Sequence, residues 1–145
     1  RDVLGSRGLG DVYKRQVVKA ADCENAKLIL DTWHWVRANQ PIELSVLEGI
    51  PADKIVSIQI NDVWERPYAT TILRDESMHD RLAPGTGIGT TVPFVKMIRE
   101  KGIKPNAIGV EVISDANIEK GIEYAAKHTY ENTKKVLEEA WPEVL

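Results

Sequence analysis

The sequence predicts an α/β fold in which three parallel strands, each followed by a helix, form part of an eightfold (β/α)8 barrel. Three observations carry that prediction. Short apolar runs of the kind buried on both faces of a parallel sheet alternate with helical patterns. No hairpin signal separates them. Three such units alone leave two long apolar edges open, whereas a closed barrel of about 250 residues has none. The expectation is a partial barrel, about three carboxyl-terminal βα units.

Residues 1–16, RDVLGSRGLGDVYKRQ, carry three glycines and scattered charge, with no period of 2 or 3.6. This stretch reads as a non-native leader, a translated adapter sequence, or else as a disordered native terminus, and is set aside from fold reasoning. On the first reading the natural chain was cut upstream of Val17, and the barrel portion is 17–145. From Val17 to Asn25, apolar Val17, Val18, Ala20 and Ala21 mark the last turns of a helix. Leu28-Ile29-Leu30 is a short buried strand ending in Asp31. Pro41 and Ile42 lead into a short helix, Glu43 to Leu47, closed by Gly49 and Pro51. The second strand, Ile55 to Ile60, runs into Asn61-Asp62. Trp64 to Thr91 reads as a long polar loop, and loops beyond about 15 residues are usually functional. Val92 to Glu100 is an amphipathic helix stopped by Lys101-Gly102. The third strand is Ala107 to Ile113. The last element, Ile118 to Ala140, is one long helix with Ile122, Ala125, Ala126, Thr129, Thr133, Val136, Leu137 and Ala140 on a broad face.

With 145 residues, 43% of them hydrophobic, the chain can build an ordinary core. A formal net charge of −3 gives no basic footprint, so no nucleic-acid partner is expected. No apolar run approaches the roughly 20 residues of a membrane span, so no membrane partner is expected either. The single cysteine, Cys23, excludes an intrachain disulfide framework and fits a reducing cytoplasm, the expected location. Cys23 itself reads as a small residue near a helix end.

In parallel α/β folds the active groups gather at the carboxyl ends of the strands. Here the strands end in Asp31, with His34 three residues on; in Gln59, then Asn61 and Asp62; and in Glu111. Asp, Gln and Glu supply the oxygen ligands a hard divalent cation takes, and their wide spacing suits successive strands rather than a local ion loop. Gln59, between Ile58 and Ile60, needs a partner for its amide, and a metal would satisfy the oxygen. Glu111, between Val110 and Val112, points inward in an alternating strand. Trp33 and Trp64 are candidate walls of a substrate pocket, while Trp35 suits packing equally well. Asp31 can equally cap a helix, and His34 can simply hydrogen-bond at the barrel top. Gly85, Gly87 and Gly89 form a glycine-rich turn into the Val92 helix, with a phosphate cradle as the alternative.

Four segments in order now carry a resemblance. LILDTWHWVRANQ resembles the Asp-Thr-x-His segment of the xylose isomerase-like TIM barrel, or sugar phosphate isomerase/epimerase, superfamily. IVSIQINDV is similar to its next strand, HDRLAPGTGIG to its Arg-x-x-Pro-Gly-x-Gly loop, and IGVEVIS to its final glutamate strand. The resemblance implies that Asp31 and Glu111 are metal ligands, and that Glu111 is also a proton shuttle. It further implies that His34 binds substrate or assists the metal, and that Arg81 reaches substrate oxygens. Two departures matter. Most sugar epimerases of the family have histidine where Gln59 stands, and glutamine resembles the 3-dehydroshikimate dehydratase branch. In the related endonuclease IV, an Asp-x-His pair holds extra zinc; Asp80 matches the Asp, but Leu82 stands where the His would be. A three-zinc nuclease site cannot be completed, so DNA repair is not expected. The family's first metal-binding glutamate, the partner base to Glu111, belongs on a strand before Val17.

The chemistry expected of such a site is proton removal from a carbon next to a carbonyl. A divalent metal (Mn, Mg, Co or Zn) would stabilise the enediolate, and Glu111 would act as general acid–base. Proton return makes this an isomerase or epimerase of a sugar or sugar phosphate. Loss of a β-hydroxyl makes it a dehydratase of the 3-dehydroshikimate or inosose type. The third expectation is that the fragment by itself is inactive, the enzyme being the parent protein. The expected partner is a small sugar-like substrate, with a homo-oligomer left open.

Overall fold

The computed structural model describes residues 16–38, 47, 50–65 and 73–145. A helical stretch at 16–21 (α1) leads to strand β1, Leu28–Asp31. Helix α2, Thr32–Ala38, starts at once, and a 3-10 turn, Ala52–Lys54, precedes strand β2, Ile55–Ile60. Helices α3, Leu73–His79, and α4, Thr91–Glu100, separate β2 from strand β3, Ala107–Val110. Helices α5, Asp115–Glu119, and α6, Ile122–Ala140, follow.

The three strands form one parallel sheet in the order β1-β2-β3. Asp31 pairs with Gln59, and Gln59 with Gly109, so these three stand in one row. Because side chains alternate along a strand, that register sorts the sheet into two faces. Ile58 and Ile60 turn to the helices and are fully buried, packed in one cluster with Phe94, Val95 and Ile98 of α4 and Val136, Leu137 and Ala140 of α6. Ile29, Ser57, Asp31 and Gln59 turn to the opposite face, where Ile29 is 59% exposed. In a closed barrel that face is the interior, and its carboxyl end is where chemistry collects.

The strands and α4 match the expected elements, and four differences have physical causes. Residues Thr32–Ala38, not assigned from sequence, are helical because Asp31 caps them. The expected polar loop 64–91 contains α3, whose buried contact is the charged side chain of Glu76, so no apolar period announced it. The third strand ends at Val110 rather than Ile113, since the carbonyl of Ile113 accepts the amide of Arg81 and Ser114 pairs with Asp80. The expected continuous helix 118–140 is broken at Gly121, whose φ of +94° is a conformation glycine alone adopts readily. Only the last turns of its apolar face, Val136, Leu137 and Ala140, are buried. The expected leader, apart from Gln16, lies outside the described residues. So does the expected 43–47 helix, apart from Leu47, which is in the core. Among the described residues, no helix is long and apolar enough to cross a membrane.

Candidate active site

Asp31 divides its two oxygens between structure and site. Its Oδ1 accepts the backbone N–H of His34 at 3.0 Å, three residues into the helix, as an N-cap does. Its Oδ2 accepts Arg81 Nη1 at 3.0 Å and Asn61 Nδ2 at 3.2 Å. The capping reading of Asp31 is met by one oxygen, while the other faces Arg81 and Asn61.

Arg81 gathers the rest. The same Nη1 donates to Glu111 Oε2 at 2.8 Å, so carboxylates from β1 and from the end of β3 converge on one nitrogen. The guanidinium is nearly inaccessible, whereas the Glu111 side chain is 37% exposed and open to a ligand. Arg81 is gripped from behind by Ser77, whose carbonyl accepts Nε and whose hydroxyl accepts Nη2, both at 2.9 Å. Its carbon lies 5.3 Å from the centre of the Trp33 ring, in cation–π range. The planar fork matters: it serves carboxylates and Ser77 at once, which a lysine ammonium on its flexible stem does less well.

Asn61 ties the strand ends together. Fully buried, it donates to Asp31 and to the Glu111 carbonyl, at 3.2 and 3.3 Å, while its Oδ1 is buried with no hydrogen-bond partner among the described residues. Asp62, next in sequence, faces away from this cluster. Its carboxylate accepts the amides of Val63 at 2.9 Å and Gly87 at 3.1 Å and the Thr90 hydroxyl at 3.4 Å. This settles the role of the glycine-rich turn. Gly87 donates to Asp62 and Ile88 to the Val63 carbonyl, so these amides anchor the loop instead of cradling a phosphate. A Cβ on Gly87 would lie 2.1 Å from the Val63 carbonyl oxygen, so only glycine allows that approach.

The other expected residues fall around this centre. Gln59 is half-buried in the row of Asp31, beside Gly109. His34 is exposed, its ring edge-on to Trp33 at 5.0 Å. Trp33 is 3% exposed and lies beneath Arg81, a support rather than an open pocket wall. Trp64 is 40% exposed and donates to Asp80 at 2.9 Å. Trp35 packs edge-on against Phe94 in the core. Arg37, Glu76 and Ser77 escaped the sequence reading. Glu76 and Ser77 stand in an apparently polar loop and Arg37 in a segment given no element, and polar residues there give no signal unless their burial is known.

As a metal site, this set would have to exchange existing bonds, since both Asp31 oxygens and Glu111 Oε2 already accept N–H groups. Asp31, Glu111 and Gln59 offer two carboxylates and an amide oxygen on one face, the donor type a hard cation takes. Among the described residues, no group of three or more His, Cys, Asp or Glu is placed to hold an ion. A cleft of about 730 Å³ lies elsewhere, lined by Val18, Cys23, Leu28 and Pro51 at the amino ends of β1 and β2, away from these carboxylates.

Comparison with solved structures places the fold. A crystal structure of IolI protein with a bound zinc atom superposes with a TM-score of 0.73 at 20% identity, covering 87% of this chain and 42% of that one. A xylose isomerase domain protein from Salmonella typhimurium LT2 gives 0.68 at 16% identity, covering 88% and 44%. One from Alicyclobacillus acidocaldarius gives 0.64 at 22%, covering 87% and 42%. The chain thus spans less than half the length of these proteins. No curated protein matches the sequence significantly. The profile of the xylose isomerase-like TIM barrel family matches residues 14–132, most of the chain, and with the parallel sheet and its strand-end carboxylates this shows that the chain belongs to that family.

Proposed function

We propose that this chain carries the carboxyl-terminal strand-end site of a divalent-metal-dependent isomerase or epimerase acting on a sugar or sugar phosphate. One observation carries the reading: Asp31 and Glu111, from strands that flank β2, meet on a single nitrogen of Arg81. Asp31, Gln59 and Glu111 would hold the ion, with further ligands from barrel segments beyond those described. The bound ion would supply Lewis-acid polarisation of a substrate carbonyl. The zinc atom in the IolI protein structure supports a divalent ion without choosing among Zn, Mn, Mg and Co.

The chain's own residues do the remaining work. Glu111, the exposed member of the carboxylate pair, takes a proton from the carbon beside the carbonyl and returns it. Arg81, buried and fixed before any substrate arrives, acts through the two carboxylates it holds, setting the position and charge of Glu111 beside the substrate. Asp31, capped onto α2 and bonded by Asn61, stays in place. Trp64 borders the substrate, Trp33 supports Arg81 from beneath, and His34 contributes a polar contact from the rim. Gln59 favours a second reading, dehydration of a 3-dehydroshikimate- or inosose-like substrate, because most sugar epimerases of the family have histidine there.

Calorimetric titration with Mn²⁺ tests the metal reading on a full-length barrel carrying this segment. The expected result is tight binding that weakens on the order of 100-fold in Asp31→Ala and in Glu111→Ala. Equal binding by the two variants and the unsubstituted barrel refutes it. Turnover of ketose sugars against dehydroshikimate then separates isomerase from dehydratase.

A further inference from the structure

Arg37 and Glu76 form an ion pair that the mechanism above does not use. Both are 3% exposed. Arg37 donates to Glu76 through Nε at 2.9 Å and through Nη2 at 2.6 and 2.9 Å, and Nη2 also reaches the Trp64 carbonyl at 3.1 Å. Glu76 Oε1 accepts a further bond, from Trp33 Nε1 at 2.9 Å. Removing two charges from water is costly, and apolar replacements of such pairs are often neutral or stabilising. Stability alone is therefore a weak reason for this pair, and what it orients is the better one.

It orients two things, and both support Arg81. Glu76 fixes the indole of Trp33, whose ring lies under the Arg81 guanidinium. It also anchors α3 to α2, and the next residue of α3 is Ser77, which accepts two of Arg81's N–H groups. We infer that the Arg37–Glu76 pair is a positioning device for Arg81, holding it on Asp31 and Glu111 through Trp33 and Ser77. Its catalytic meaning rests on the proposed role of Glu111, which Arg81 holds; the positioning itself is a property of the folded chain.

The test is hydrogen exchange of the arginine Nε–H groups, followed by ¹⁵N NMR of the full chain. Glu76→Gln keeps the shape and removes the charge. Trp33→Phe keeps an aromatic ring under Arg81 and removes the indole donor. Both should speed exchange at Arg81 by about tenfold, the order expected for one lost hydrogen bond to a charged group. The Nε–H of Arg99, which pairs with Glu143 at the surface, and the amides of β2 should keep their rates. Unchanged protection at Arg81 overturns the inference, as does loss of protection at Arg81 and β2 together. If Glu76→Gln fails to fold, Arg37→Lys, which keeps the charge and loses the planar fork, takes its place, with the same outcome expected at Arg81. Turnover is read separately as a KM effect. A loosened Arg81 in a full-length barrel that turns over neither sugars nor dehydroshikimate leaves the positioning standing and removes the proposed reaction. An active barrel with Arg81 equally protected in both variants does the reverse.

Discussion

Gly87→Ala is expected to be far more damaging than its size suggests. The added methyl would sit 2.1 Å from the Val63 carbonyl oxygen and 2.8 Å from Asp62 Oδ1, both held by the strand end, so the loop must move. Moving it breaks the Gly87 amide bond to Asp62 and the Ile88 amide bond to Val63. The first is a bond to a buried carboxylate, worth about 1.5–3 kcal/mol, and the second an ordinary backbone bond of about 1 kcal/mol. Together they amount to about 2.5–4 kcal/mol. Gly89→Ala is the control: its φ is +75° with nothing within 4 Å, so it incurs only the left-handed backbone cost of about 1–2 kcal/mol. Urea denaturation followed by circular dichroism measures both. If Gly87→Ala destabilises no more than Gly89→Ala, the close approach is not what requires glycine there, and the account of this loop is wrong.

Three further outcomes are expected. Glu111→Gln, in the full-length barrel, should lower kcat by on the order of 10²–10⁴ with a smaller change in KM; retention of kcat in steady-state assays would remove Glu111 as the base. Ile58→Ala, in the core face of β2, should cost about 2–5 kcal/mol, while Ile29→Ala on the opposite face of the same sheet should stay within about 0.5 kcal/mol in this chain, both read by urea denaturation. Gly121→Ala should destabilise by about 1–2 kcal/mol, since its φ of +94° is strained for any side chain; thermal melts that match the unsubstituted chain would count against the break between α5 and α6.

The sheet was legible because parallel strands are buried as continuous apolar runs, and Leu28–Leu30, Ile55–Ile60 and Ala107–Val110 are such runs. The strand-end residues were legible for a related reason: Asp31 and Glu111 break an apolar pattern where the chain leaves the sheet. Arg81 was found through resemblance of its loop, not through any period. What stayed hidden was polar burial. Glu76 lies in a stretch that reads as a polar loop and Arg37 in one given no element, and a charged side chain carries no mark of whether its partner is water or another residue 39 positions away. The break at Gly121 was missed for the opposite reason. An apolar face that continues in register across a glycine looks like one helix until the backbone angle is known.

The segment carrying Arg81 is mounted by main-chain bonds on both flanks. Asp62 and Leu82 exchange amide–carbonyl bonds, Arg81 donates to the Ile113 carbonyl, and Asp80 pairs with Ser114. Main-chain pairing is indifferent to side-chain identity. The backbone of residues 80–82 therefore keeps its station through pairing that does not depend on which side chains stand there. A chain built this way roots Arg81 between two strand ends, so its guanidinium reaches the carboxylates from a backbone already held in place.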